Sequence, residues 1–133
     1  MLERTRALYA ALAQALRADS LPADNDGALA LTIGEDSQVL IYGTDDISLL
    51  IVATVAPLPR RPDHGTMLWL LRQNFYDSDL APFCAAADAA GHVVLWGRVP
   101  VEGMTGELLA SLLDRLGTEA GRARGELAGE DED

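Results

Sequence analysis

At 133 residues, with 49% hydrophobic and 23% charged side chains, the chain has the length and composition of one globular domain rather than a disordered segment. Twenty-one acidic residues stand against ten basic ones, every base an arginine, for a net charge of −11 and a pI near 4.4. That balance excludes the basic face that releases counterions from nucleic acid, and it disfavours an anionic membrane surface.

Cys84 is the single cysteine, so an internal disulfide and a Cys-x-x-Cys metal site are both absent. A lone thiol fits a reducing compartment. The N-terminus, Met1-Leu2-Glu3-Arg4-Thr5-Arg6, is charged where a signal peptide needs an apolar stretch. No apolar run approaches the ~18–20 residues that cross a bilayer. The expectation is a small, acidic, soluble, cytoplasmic protein.

The spacing predicts a first helix over 2–18, with Leu2, Thr5, Leu8, Tyr9, Leu12 and Leu16 in one arc and Glu3, Arg6, Gln14 and Arg17 opposite. It should stop near Asp19-Ser20-Leu21-Pro22, since proline disfavours helical geometry in the residue before it. Asp24-Asn25-Asp26-Gly27 has turn composition. Three strands are expected after it. In 28–33, Leu29, Leu31 and Ile33 alternate with smaller residues; a turn at Glu35-Asp36-Ser37 leads to 39–42; and 47–56 is apolar on both faces, as in a central, covered strand. Pro57-Leu58-Pro59-Arg60-Arg61-Pro62 ends this antiparallel meander.

Thr66 is a candidate cap for a second helix over 67–76, which has almost no polar face. Met67, Leu68, Leu71 and Phe75 share one arc, and Trp69, Gln73 and Tyr76 a nearly opposite one. A helix apolar most of the way round needs cover on two sides, and so short a chain offers little second cover. The Trp69 side is therefore read as a subunit interface; a helix sandwiched within one domain is the alternative. A short strand at 83–87 and a longer one at 92–99 form a hairpin about Ala89-Ala90-Gly91. Thr105 can cap a third helix to about residue 120, with Leu108, Leu109, Leu112, Leu113, Leu116 and Ala120 as its core stripe. Gly117, Gly121, Gly125 and Gly129 follow at intervals of four, each costing about 1 kcal/mol of helix stability. The helix should fray there. Five of the last eight residues are acids, so 1–125 reads as one domain and 126–133 as a disordered acidic tail.

No catalytic constellation is visible. None of the serines sits in Gly-x-Ser-x-Gly, and without lysine no phosphate loop of Gly-Lys-Ser/Thr type exists. Asp24-Asn25-Asp26-Gly27 begins like a calcium loop, but Ile33 falls where the bidentate glutamate belongs. His64 and His92 have too few companions for a zinc site, so no metal and no cofactor are expected. Cys84 reads as a small core residue, and Arg60 and Arg61 as a solvated loop pair. What remains is apolar surface. The first helix and the strand edges can form a groove for an extended peptide, held by main-chain bonds and side-chain pockets, or the helix can simply cover its own sheet.

Leu68-Trp69-Leu70-Leu71-Arg72-Gln73-Asn74-Phe75 follows a Leu-x-x-x-Asn-Phe pattern, and Val93-Val94-Leu95-Trp96-Gly97-Arg98-Val99-Pro100 then precedes a leucine-rich helix. This succession resembles the class I type III secretion chaperones, the CesT-like family, over about residues 1–122. The small-sided stretch 85–90 and the Arg60-Arg61 pair depart from the family pattern. The resemblance implies an α+β protomer of order helix-strand-strand-strand-helix-strand-strand-helix, an antiparallel twisted sheet flanked by three helices, forming a homodimer. It implies a dimer interface at Trp69, Gln73, Tyr76 and Trp96, and an effector-binding groove at Leu8, Leu12, Leu16, Leu31, Ile33 and Leu40. The implied partner is the N-terminal segment of a secreted effector, held extended and soluble without ATP, with contacts to the secretion machinery also open. A small α+β enzyme or ligand-binding domain, and a dimeric scaffold without cargo, are the alternatives that the residues leave standing.

Overall fold

A computed structural model describes residues 3–19, 21–23, 27–33, 37–43, 45, 47–58, 64–75, 80 and 82–131. Its elements follow the expected order: α1 (Glu3–Ala15), β1 (Ala28–Ile33), β2 (Ser37–Tyr42), β3 (Ser48–Pro57), α2 (His64–Gln73), β4 (Cys84–Ala87), β5 (His92–Pro100) and α3 (Gly106–Asp131). The expected turns at Asp24-Asn25-Asp26 and Glu35-Asp36, the Arg60-Arg61 pair and Tyr76 lie outside the described residues.

The leucine stripe of α1 makes it an amphipathic cover, with Thr5, Leu8, Tyr9, Leu12 and Ala13 buried. It ends earlier than the expected residue 18. Arg17 takes φ 58°, the Arg17 amide donates to the Gln14 carbonyl at 3.1 Å, and the Ala18 amide to the Ala13 carbonyl at 2.8 Å. This is a Schellman stop made with an arginine where glycine is usual. The Tyr9 hydroxyl donates to the Gly27 carbonyl at 2.7 Å, fixing α1 to the start of β1. Gly27 has φ 90°, and a β-carbon there would stand 2.9 Å from the Gly43 carbonyl oxygen, so this corner requires glycine.

The five strands form one antiparallel sheet in the order β1-β2-β3-β5-β4. Alternation sends Leu29, Val39, Ile41, Leu49, Ile51, Ala53, Val93, Leu95 and Val99 to one face, all buried. α3 lies across β1, β2 and β3 on that face, and α1 lies against α3. The central β3 is buried on this side only; Leu50, Val52 and Thr54, on its other side, are half-buried. The phenyl ring of Phe83, entering β4, crosses β5 at Gly97, where a β-carbon would come within 2.9 Å of Cδ1.

Thr105 caps α3 as expected, its Oγ1 accepting from the Leu108 amide at 3.0 Å. The helix does not fray at its glycines. It runs to Asp131, with Ala123 and Leu127 continuing the buried stripe, so the expected boundary at residue 125 cuts through packed structure. Gly117 packs directly on Ile33, where a β-carbon would lie 2.7 Å from Cγ2. α2 begins before its expected start, and Thr66, expected as its cap, is a buried residue inside it.

Candidate functional site

Two sides of α2 meet different surroundings, and they are the reverse of those expected. Trp69 is only 8% exposed and belongs to the core. Its Nε1 donates to Glu126 Oε2 at 2.6 Å, and Glu126 Oε1 accepts from Arg122 Nη1 at 2.6 Å. Arg122 also pairs with Glu119 at 2.7 Å and donates to Gln73 Oε1 at 3.3 Å. The Trp69–Gln73 side of α2 therefore docks on the far end of α3, and Trp69 is not available to a second protomer. The opposite arc is exposed: Met67 is 51% exposed, Leu71 68% and Phe75 57%, with Leu68 beside them. The periodicity had located this arc. It could not say which arc would be covered, because the cover comes from the last turns of α3, read as disordered.

The six residues expected to line one groove are not brought together. Leu8 and Leu12 are core residues under α1. Leu31 and Ile33 lie on the helix-covered face of β1, partly buried against that core. Leu40 is on the other face of β2, and Leu16 is exposed at the end of α1. The reason is that α1 and α3 share one face of the sheet, so residues pointing inward are consumed by the protomer.

The uncovered face carries an apolar row. The strand register aligns Ala30, Leu40, Val52, Trp96 and Cys84 across all five strands. Leu40 and Trp96 are exposed, and so is Cys84, which corrects its expected place in the core: on β4 the buried positions fall to Ala85 instead. Trp96 thus keeps the exposure an interface residue needs.

The two sheet edges differ. At β4, Asn74 Nδ2 donates to the Ala85 carbonyl at 2.9 Å and Asn74 Oδ1 accepts from the Ala85 amide at 2.6 Å. One side-chain amide thus occupies both backbone groups of Ala85, which a further strand would otherwise use. At β1, Ala23 forms a single bridge to Leu29, and no other strand among the described residues pairs its outer side. Acid–base chemistry has little to work with. Asp45 and Asp88, both exposed, are held below the usual carboxylate range by backbone amides, Asp45 by those of Ser48 and Ile47 and Asp88 chiefly by that of His92. These are turn-stabilising contacts. Among the described residues no three His, Cys, Asp or Glu side chains gather to hold a metal, and no helix is long and apolar enough to cross a membrane.

The sequence profile of the Tir chaperone protein (CesT) family matches residues 8–124. No curated protein sequence matches the chain. Among solved structures, a chain of the heterodimeric ExoU–SpcU complex from the type III secretion system of Pseudomonas aeruginosa is 30% identical, with 89% of this chain and 95% of that one covered and a TM-score of 0.73. The complex of the Yersinia pestis type III secretion chaperone SycH with a YscM2 fragment matches at 22% identity, 87% and 96% coverage and a TM-score of 0.72. The ExsC–ExsE complex matches at 22% identity, 93% coverage of each chain and a TM-score of 0.75.

Proposed function

Since the chain belongs to the Tir chaperone protein (CesT) family and is a type III secretion chaperone, we propose that it binds the N-terminal segment of a secreted effector in extended, non-globular form. It keeps that segment soluble and competent for secretion, without ATP and without catalysing a reaction, as a homodimer in the bacterial cytoplasm. The observation that carries this reading is the large apolar surface left outside a protomer whose core is already complete. Met67, Leu68, Leu71 and Phe75 on α2 stand exposed, and so do Leu40 and Trp96 in the row on the open sheet face. Contiguous exposed apolar surface of this kind marks an interaction site.

The α2 arc suits a second copy, because the same helix meeting itself about a two-fold axis gives a self-complementary patch. Met67, Leu68, Leu71 and Phe75 replace Trp69 in that role, with Trp96 retained from the earlier expectation. The outer edge of β1 suits the cargo, since an extended segment can satisfy its backbone groups by strand addition. The similar structures are themselves complexes with a second protein.

Light scattering on the isolated protein should give the mass of a dimer. Leu71→Glu combined with Phe75→Glu should give a monomer, because an unpaired charge in a buried contact is strongly unfavourable. A dimer unaffected by both substitutions would remove the α2 interface. Co-expression with effectors of the host should yield a complex that is lost when the effector's N-terminal region is deleted. A complex that survives the deletion would overturn the cargo assignment.

A further inference from the structure

Helix α2 carries large apolar side chains on two sides, so burial by itself does not decide which side faces the protomer. Trp69 is turned inward, and Met67, Leu68, Leu71 and Phe75 are turned outward. Half a rotation about the helix axis would reverse this and take four large side chains out of water. The hydrophobic effect has no direction; hydrogen bonds have one. The side that α2 presents is therefore a matter for its polar contacts.

Two of these contacts form a ladder to the end of α3. Trp69 and Gln73 are four residues apart on α2, and Glu126 and Arg122 are four apart on α3, so each pair lies on one stripe of its helix. The pairs meet in antiparallel order. The Trp69 indole donates from Nε1 to Glu126 Oε2 at 2.6 Å, and one turn along Arg122 Nη2 donates to Gln73 Oε1 at 3.3 Å. A single rung would let α2 roll about it. Two rungs one turn apart fix both its rotation and its register. The α3 side is itself held, because Arg122 donates from Nε to Glu119 Oε2 at 2.8 Å and from Nη1 to Glu126 Oε1 at 2.6 Å. A planar guanidinium engaged on several edges keeps one orientation. Yet the Arg122 and Glu126 side chains stay 40% and 41% exposed, where ion pairs add little to stability. What such a network supplies is direction.

Resting on the reading that α2 joins two copies, we propose that Glu126 and Arg122 are positioning residues for dimerisation, fixing the rotation of α2 so that Met67, Leu68, Leu71 and Phe75 are presented to a second copy. Without this clasp, α2 divides its time between outward and inward presentation, and only the first is competent to dimerise. The apparent affinity then falls with the competent fraction. The end of α3 thus acts on the interface through Trp69 and Gln73.

The test separates affinity from stability. Sedimentation equilibrium on the full chain gives the dimer dissociation constant, at a temperature where circular dichroism shows every protein folded. Glu126→Ala should weaken the dimer about tenfold. Both protomers must be competent, so the loss goes as the square of the fraction, and tenfold corresponds to about one protomer in three. Glu126→Gln keeps an oxygen for the indole and should restore most of the affinity. Gln73→Ala removes only the second rung and should weaken the dimer about threefold; it decides alone should Glu126→Ala fail to fold. A role in folding only would lower the melting temperature and leave the dissociation constant in place, and that result overturns the proposal. So does an equal loss in Glu126→Ala and Glu126→Gln. An unaltered protein that is monomeric, or a dimer that survives Leu71→Glu with Phe75→Glu, ends the α2 contact and the clasp with it. A dimer broken by that pair but indifferent to Glu126→Ala and Gln73→Ala ends the clasp alone.

Discussion

Asn74 does the work of a missing strand. Its amide side chain presents one donor and one acceptor to Ala85 with the same polarity as a peptide group, at 2.9 and 2.6 Å. Asn74→Ala should cost about 1–2 kcal/mol in thermal or urea unfolding, because two hydrogen bonds go and the backbone is left to water. It should also raise aggregation, since β4 then shows an open edge. Asp45 works on the turn before β3, accepting from the Ile47 amide at 2.8 Å and the Ser48 amide at 2.9 Å. Those bonds favour the charged carboxylate, so its folded pKa lies below its unfolded value of about 3.8. The contribution is therefore present above that pH and lost as pH falls through the folded value. Asp45→Ala should lower the melting temperature at pH 7, and the difference from the unaltered protein should vanish in strong acid; a difference constant with pH would show that the charge is irrelevant.

At the scale of elements, the end of α3 and the inner side of α2 stabilise each other. Leu127 is buried and Glu126 receives the Trp69 indole, so the final turns of α3 are held by contacts made 57 residues away in sequence. Glycines that weaken an isolated helix are tolerated when its apolar face is packed. Leu127→Ala should cost about 2–3 kcal/mol by the removal of buried methyl groups, and truncation after residue 125 should cost at least as much. A truncation that leaves stability unchanged would restore the tail as a dispensable appendage. Trp69→Phe keeps the packing and removes the bond to Glu126. It should cost about 1 kcal/mol, given that the partner carboxylate is partly solvated, and hydrogen exchange should accelerate first in α2.

For the molecule as a whole, the arrangement of layers decides what is available to partners. Both α1 and α3 occupy one face of the sheet, α2 sits beyond β4, and among the described residues no helix lies on the second face. The protomer thus completes one core and leaves its remaining apolar residues outside. If the α2 arc joins two copies, folding and association are linked, and the melting temperature should rise with protein concentration. That dependence should disappear in the Leu71→Glu, Phe75→Glu protein. A concentration-independent transition in the unaltered chain would show that the protomer is stable alone.

Much of the fold was legible in the residues themselves. Periodicity and turn chemistry are local properties, so the order of eight elements, the antiparallel meander and the Thr105 cap follow from spacing alone. The Leu-x-x-x-Asn-Phe pattern even contained Asn74, although nothing in it tells that the side chain would close a strand edge. What spacing cannot convey is which of two apolar arcs finds a neighbour. Trp69 and Leu71 stand on one short helix with equal apolar character, and only the distant end of α3 determines that the first is covered and the second free. Leu12 and Leu40 likewise look alike in sequence, yet one is sealed by α3 and the other faces outward, because burial depends on long-range contacts that no local pattern encodes.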